Sequence, residues 1–172
     1  MADLFDWTVA GAVIEGPDGL LLVQNLRDNG SLDWTPPGGV IEIRDGESLL
    51  DGLTREVAEE TGLRVTEWHG PLYKVTTTAP AMGWRMLVEV HLAVAVEGEV
   101  RVGDDPDGIV VDAAYVSDEV CRERLVGGHP WVAEPLNDWL TQRWPGGETT
   151  PHYAYEIAGS GLADAVIARL AP

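Results

Sequence analysis

From Met86 to Val96 the chain alternates without a break: Val88, Val90, Leu92, Val94 and Val96 fall on one face of an extended segment, Leu87, Glu89, His91, Ala93 and Ala95 on the other. Shorter β-prone runs cover Trp7–Ile14 and Leu20–Gln24, and the turn residues Glu15-Gly16-Pro17-Asp18-Gly19 between them predict a hairpin. Ser48–Thr61 changes period. Leu50, Leu53, Val57 and Thr61 recur at helical spacing, and Gly62 supplies the C-terminal stop. Asp28–Ser31 reads as a turn, and Trp34–Gly39, where two prolines abut two glycines, as a rigid irregular loop. Beyond the Asp- and Gly-rich loop Gly103–Gly108, the pattern predicts a strand over Ile109–Val116 and a short helix over Ser117–Leu125. A second helix follows Pro130 over Trp131–Trp144, with Val132, Leu136, Trp139, Leu140 and Arg143 on one side. After the linker Pro145–Pro151, His152–Ile157 reads as a strand and Leu162–Leu170 as a helix.

Interleaved strands and helices place the chain in the α/β (α+β) class. Its 172 residues, 45% of them hydrophobic, suffice for one core. The reading is a main domain over 1–145 and a C-terminal extension over 146–172 packed on it. That extension could complete a sheet edge, cover a cleft, or swap into a second copy to make a homodimer. No run has the length of a membrane span and the N-terminus lacks a secretion signal's pattern. The lone Cys121, without a neighbouring histidine, reads as a small buried apolar residue. A cytoplasmic location is expected.

Charge narrows the partners. Twenty-nine acidic residues against eleven basic ones give −18, and Lys74 is the single lysine, so a nucleic-acid polymer, held mainly by neutralised phosphates, is a poor partner. Any phosphate chemistry here needs local positive charge from a metal or a few arginines.

The predicted helix over Ser48–Thr61 carries the chemistry. At roughly 100° per residue, Glu56, Glu59 and Glu60 share an arc next to the apolar flank. Like charges at i,i+4, such as Glu56 and Glu60, cost about 0.2–0.5 kcal/mol in an exposed helix. A hard divalent cation held by carboxylates together with substrate phosphates offsets that cost. A solvated acidic face is the plain alternative. What favours the cation is the bracket around the glutamates: Gly38-Gly39 upstream lets backbone approach closely, and Arg55 can fork onto a carboxylate such as Glu47.

The stretch Gly38–Leu63, ending Arg55-Glu56-Val57-Ala58-Glu59-Glu60-Thr61-Gly62-Leu63, resembles the Nudix hydrolase signature G-x5-E-x7-R-E-U-x-E-E-x-G-U, with U aliphatic. From Glu47 onward every fixed position is filled, and five identities of this kind coincide by chance on the order of once in a million positions. One departure stands: seven residues, not five, separate Gly39 from Glu47, as if two had been added around Ile43-Arg44-Asp45. The resemblance implies an α/β/α sandwich with a mixed sheet, a Mg2+ or Mn2+ site, and hydrolysis of a diphosphate linkage in a nucleotide derivative. By position it makes Glu56, Glu59 and Glu60 metal ligands, with the Gly38 carbonyl a further one, and Arg55 and Glu47 an orienting pair. Glu59 is a candidate base. Because some members recruit a carboxylate from another loop, Asp107 is the first external candidate and Asp105 the second.

Substrate contacts are read more broadly. In a fold of this kind one sheet face lines the cleft, which brings in Glu89 and His91. Trp34 could stack on a base, and Arg27, Arg44 or Arg85 could meet phosphate. The leading function is a nucleoside triphosphate pyrophosphohydrolase. An ADP-ribose or nucleotide-sugar pyrophosphatase is the alternative, for which Pro80, seventeen residues past Leu63, is one position off the expected proline. A non-catalytic nucleotide-sensing module is the third reading, at odds with three retained glutamates.

Overall fold

The computed structural model describes residues 3–161 and 163–172. Ten strands and three α-helices are found among them. The main sheet joins β1 (Phe5–Val13), β5 (Gly38–Val40), β6 (Arg64–Ala79), β7 (Trp84–Glu97), β9 (His152–Ala158) and β10 (Val166–Arg169) in the order β10-β9-β6-β7-β1-β5. It is mixed: β1 runs parallel to β7 and β6 to β9, and the other neighbours are antiparallel. A smaller sheet joins β2 (Glu15–Gly16), β3 (Gly19–Leu26) and β4 (Leu32–Thr35), with β8 (Val110–Val116) on the other edge of β3.

α1 (Leu49–Thr61) forms where the period demanded it. Ser48 caps it by accepting the Asp51 N–H at 3.2 Å, and Gly62 ends it at φ 74°. Fully buried Leu53 and Val57 pack it on Ala10, Ala12, Ile14, Leu21 and Ile41. Leu50 does not join them; it is an exposed residue in the first turn. α2 (Asp118–Leu125) and α3 (Pro130–Gln142) cover the opposite side, where Leu125, Leu136, Trp139 and Leu140 meet Val13, Leu22, Leu72 and Val90. Helices therefore flank strands on both sides, the α/β/α arrangement expected. No helix among the described residues is long and apolar enough to cross a membrane.

Several local expectations are corrected. β1 does not pair with β3: the two-residue β2 makes the hairpin, and β1 enters the larger sheet. Trp34–Gly39 is not an irregular loop, because β4 takes Trp34-Thr35 and β5 takes Gly38-Gly39. Only the two prolines lie between the strands, and the Pro37 carbonyl still accepts the Ala12 N–H at 2.8 Å. The longest strand, β6, is one that the pattern does not announce, since Gly70-Pro71 and four threonines hide its period; its register against β7 shifts between His69 and Tyr73. Arg143 falls past the end of α3, at φ 51°, and pairs with Glu15 and Asp118. The expected C-terminal helix is strand β10, antiparallel to β9; Leu162, where that helix would start, lies outside the described residues. Asp164 closes the β9–β10 turn by accepting the Ser160 and Gly161 N–H groups, and sheet pairing overrides the helical propensity of the segment.

The tail is held at several points. Tyr153 donates to Asp138 at 2.9 Å and Tyr155 to Glu134 at 2.7 Å, both on α3. β9 and β10 thus extend the edge of the main sheet.

Candidate active site

Helix α1 presents its carboxylates beside the edge strand β5, and Arg55 organises them. Its Nε and Nη2 fork onto Glu47 at 2.8 and 3.0 Å, while Nη1 reaches Glu56 at 2.9 Å and Glu59 at 3.2 Å. The Glu47 carboxylate also accepts the Glu42 N–H at 3.0 Å. The Arg55 fork, then that backbone bond, hold Glu47 down at about 2. The reach of Arg55 exceeds the expected pair, since it also draws in two of the three candidate ligands.

Glu60 points the other way. Buried beside the sheet edge, it accepts the Gly38 N–H at 3.0 Å. Burial, and after it the charges of Glu56, Asp105 and Glu59, push its carboxyl up to about 8 against the opposing effect of that bond. Glu56 is also raised, by burial first and with contributions from Glu59 and Asp107, despite the Arg55 contact. Strand β5 meets the carboxylate arc through the Gly38 N–H.

The two glycines are there for space. A Cβ on Gly39 would lie 2.5 Å from Glu56 Oε2, and one on Gly38 would lie 2.1 Å from the Ala10 carbonyl oxygen. A Cβ on Gly52 would meet Glu47 Oε1 at 2.6 Å. As the side chains stand, no three acidic, histidine or cysteine groups among the described residues converge on one point, because Arg55 holds Glu56 and Glu59 while Gly38 holds Glu60. The donor set nevertheless suits a hard divalent cation: three carboxylates on one arc, a cradle at Gly39 kept open for Glu56, and a buried acid that retains its proton for want of positive charge. Glu56, Glu59 and Glu60 are the groups that would hold it, after Glu56 and Glu59 leave the guanidinium.

The loop over 103–108 comes close enough for Asp105 and Asp107 to act on Glu60 and Glu56. Asp105 is occupied in its own turn, where its carboxylate accepts the N–H groups of Asp107, Ile109 and Val110. Asp107 is exposed and its carboxylate is not drawn into that turn.

A cleft of about 820 Å³ opens from Gly38 and Gly39 across the face of the main sheet. Val9, Gly11, Met86, Val88 and Val90 line its floor, and the Arg27–Asp33 turn and the Gly127–Val132 segment form its walls. The substrate contacts expected from sequence are mostly elsewhere. Glu89 and His91 alternate onto the α1 face, opposite the floor, where Glu89 bonds Lys74 and His91. Trp34 faces the core under the Arg124 guanidinium, 4.0 Å from its ring centre. Arg44 covers Phe5 at 4.4 Å in a separate small hollow, and Arg85 forks onto Asp6. Arg27 does line the cleft, tied to Asp33. Trp84, His129, Trp131, Asp33 and Tyr73 line it too and were not singled out. The one usable signal was the alternation of β7, which puts Met86, Val88 and Val90 on a single face. Cys121 is fully buried with its thiol pushed up to about 11, an apolar core residue as expected.

Comparison with solved structures returns the same architecture. The solution structure of the E. coli ORF135 protein superposes with a TM-score of 0.67 at 19% identity, over 81% of this chain and 92% of that one. The mutator MutT protein from Bacillus halodurans gives 0.62 at 20% identity, over 94% and 97%. A putative nudix hydrolase family member from Chromobacterium violaceum gives 0.56 at 26% identity, over 87% and 83%. A search of curated proteins returns no match. The NUDIX domain model matches residues 6–136, and with the helix, the glycine strand and the carboxylate arc all in place, the chain belongs to the NUDIX family of hydrolases that act on diphosphate linkages.

Proposed function

We propose that the protein is a magnesium-dependent nucleoside triphosphate pyrophosphohydrolase. The observation that carries this reading is the adjacency of two sites: the Glu56, Glu59 and Glu60 arc meets strand β5 at Gly38 and Gly39, and the cleft begins at the same two residues. A nucleotide lying in the cleft brings its phosphates to the carboxylates. The ion, when bound, supplies charge neutralisation at the diphosphate oxygens and a more acidic attacking water.

The protein's own groups do the rest. Glu47 positions Arg55 through a two-bond fork, and Arg55 in turn keeps Glu56 and Glu59 aligned until they are needed. Glu60 gives up its proton on ligation, a requirement for any carboxylate ligand. One carboxylate takes the proton of the attacking water: Glu59, the most exposed of the three, is the candidate within the motif, and Asp107 the candidate outside it. Asp105 serves its turn instead. Trp34, Arg44, Arg85, Glu89 and His91 have structural partners, and we assign them no contact with substrate.

The strongly negative chain supports a small nucleotide over a polymer, because only a local cation offsets phosphate charge here. The test is release of nucleoside monophosphate and pyrophosphate from a nucleotide panel with and without Mg2+, using the wild type and Glu60→Gln. Turnover that needs the ion and is lost in a folded Glu60→Gln variant supports the reading. Turnover that survives that substitution, or ignores the ion, refutes it.

A further inference from the structure

The charge balance of the cleft decides what can enter it. Arg27 is the single guanidinium among its lining residues, and it is spent on Asp33, with Nε to Oδ2 at 2.7 Å and Nη2 to Oδ1 at 2.8 Å. Asp28 is a further negative lining group. A phosphate or carboxylate seated here gains no free cation, so the group that occupies the cleft is uncharged. Its shape is set by the walls. The His129 and Trp131 rings stack with centroids 4.1 Å apart and planes 7° apart, facing an apolar floor that includes Met86 and Val88. Burial, with Arg27 adding to it and Asp33 opposing, holds His129 below its ordinary value, which keeps the ring neutral and suited to stacking.

Asp33 is the polar group built to read the edge of such a ligand. Buried Asn25 donates to Asp33 Oδ1 at 3.0 Å and to Thr35 at 2.9 Å, so Oδ1 already has two donors while Oδ2 has only Arg27 Nε. Asp33 and His129 line the same cleft, so the acceptor and the stacking wall serve one ligand. The Asp33 side chain is only 20% exposed, its carboxylate is held below the ordinary range, and it accepts without donating.

The geometry points to a base seat that selects amino-bearing bases: a planar base lies against the His129–Trp131 stack, and Asp33 Oδ2 accepts its exocyclic N–H. Cytosine, adenine and guanine offer such a donor, whereas uracil and thymine set a carbonyl oxygen where cytosine sets its amino group. Two acceptors facing each other repel, and the site's acceptor is left without a partner. The inference rests on the nucleotide hydrolase reading above and names the substrate class of that site.

CTP and UTP are nearly the same shape, so they isolate this one contact. Wild type is expected to prefer CTP by about thirtyfold in kcat/KM, mainly through KM. Asp33→Asn, whose amide can turn a donor toward the carbonyl, brings the ratio to within threefold of unity. Trp131→Leu raises KM for both nucleotides by about tenfold and leaves the ratio in place. Calorimetry of CMP and UMP on the wild type, without metal, reads the same preference independently of catalysis and of any variant's folding. Metal-dependent turnover with equal CTP and UTP constants overturns the base seat and spares the hydrolase reading. CMP binding tighter than UMP without turnover of any nucleotide supports the seat and overturns the hydrolase reading. Equal CMP and UMP binding overturns the seat.

Discussion

Substituting alanine for each of the paired glycines of β5 should separate folding from catalysis at adjacent positions. At Gly39 the new Cβ would stand 2.5 Å from Glu56 Oε2, 2.6 Å from its Cδ and 3.0 Å from Oε1. The obstacle is the far end of a flexible side chain, which must retreat by roughly 1 Å to restore ordinary contact. Gly39 is not among the residues with positive φ, so alanine adds no backbone strain. The stability cost should stay under about 1 kcal/mol, or about 3 °C in Tm for a domain of this size. The displaced carboxylate is a proposed metal ligand, and a misplacement of that size costs on the order of 100-fold in rate. At Gly38 the Cβ would lie 2.1 Å from the Ala10 carbonyl oxygen and 2.9 Å from Gly11 Cα, both backbone, so β1 and β5 must part. That should cost about 3 kcal/mol or more, roughly 6–12 °C in Tm. The assay is thermal unfolding together with magnesium-dependent nucleotide hydrolysis on both variants. Gly39→Ala turning over within threefold of wild type would refute the role given to Glu56, and equal Tm losses in the two variants would refute the steric account.

Other outcomes follow from the same geometry. Because Glu60 is raised from 4.5 to about 8, the stability it contributes is whole below pH 4.5 and is lost as pH rises through 8, at most about 5 kcal/mol. Metal-free urea titrations across that window should show the decline, Mg2+ should reverse it at pH 8, and Glu60→Gln should flatten it; a flat wild-type profile would contradict the burial argument. Arg55→Lys keeps the charge but cannot fork onto Glu47 while bridging Glu56 and Glu59, so kcat should fall by about 10–100-fold. Its unfolding free energy in urea should change by less than about 1 kcal/mol, since the Arg55 side chain is 37% exposed. Tyr155→Phe removes the donor to Glu134 and should cost about 1 kcal/mol in thermal unfolding, whereas an unchanged Tm would mean that this contact does not anchor the tail.

Legibility in the sequence followed the range of the interactions. α1 could be read residue by residue, because its cap at Ser48, its stop at Gly62 and the side-by-side placement of Glu56, Glu59 and Glu60 are all settled within a few turns of one helix. The strands with clean alternation, β7 and β9, were likewise visible. β6 was hidden although it lies at the centre of the sheet, because Gly70-Pro71 interrupts its pattern and its pairing with both β7 and β9 makes the strand regardless. The C-terminal segment shows the reverse error, a helical spacing overridden by the hydrogen bonds that β9 offers to β10.

By itself, then, the amino-acid order determined the chemistry: which helix carries the carboxylates, which glycines stay bare beside them, and which arginine pairs with Glu47. Tertiary structure alone decided the surroundings. It settled that Gly38 meets Glu60 through its N–H, that Arg55 also gathers Glu56 and Glu59, and that the cleft lies over Met86, Val88 and Val90 and not over Glu89 and His91. The reason is physical. Helical neighbours meet through local geometry that spacing encodes, whereas the face a strand turns to a cleft depends on which segments, distant in the chain, close around it.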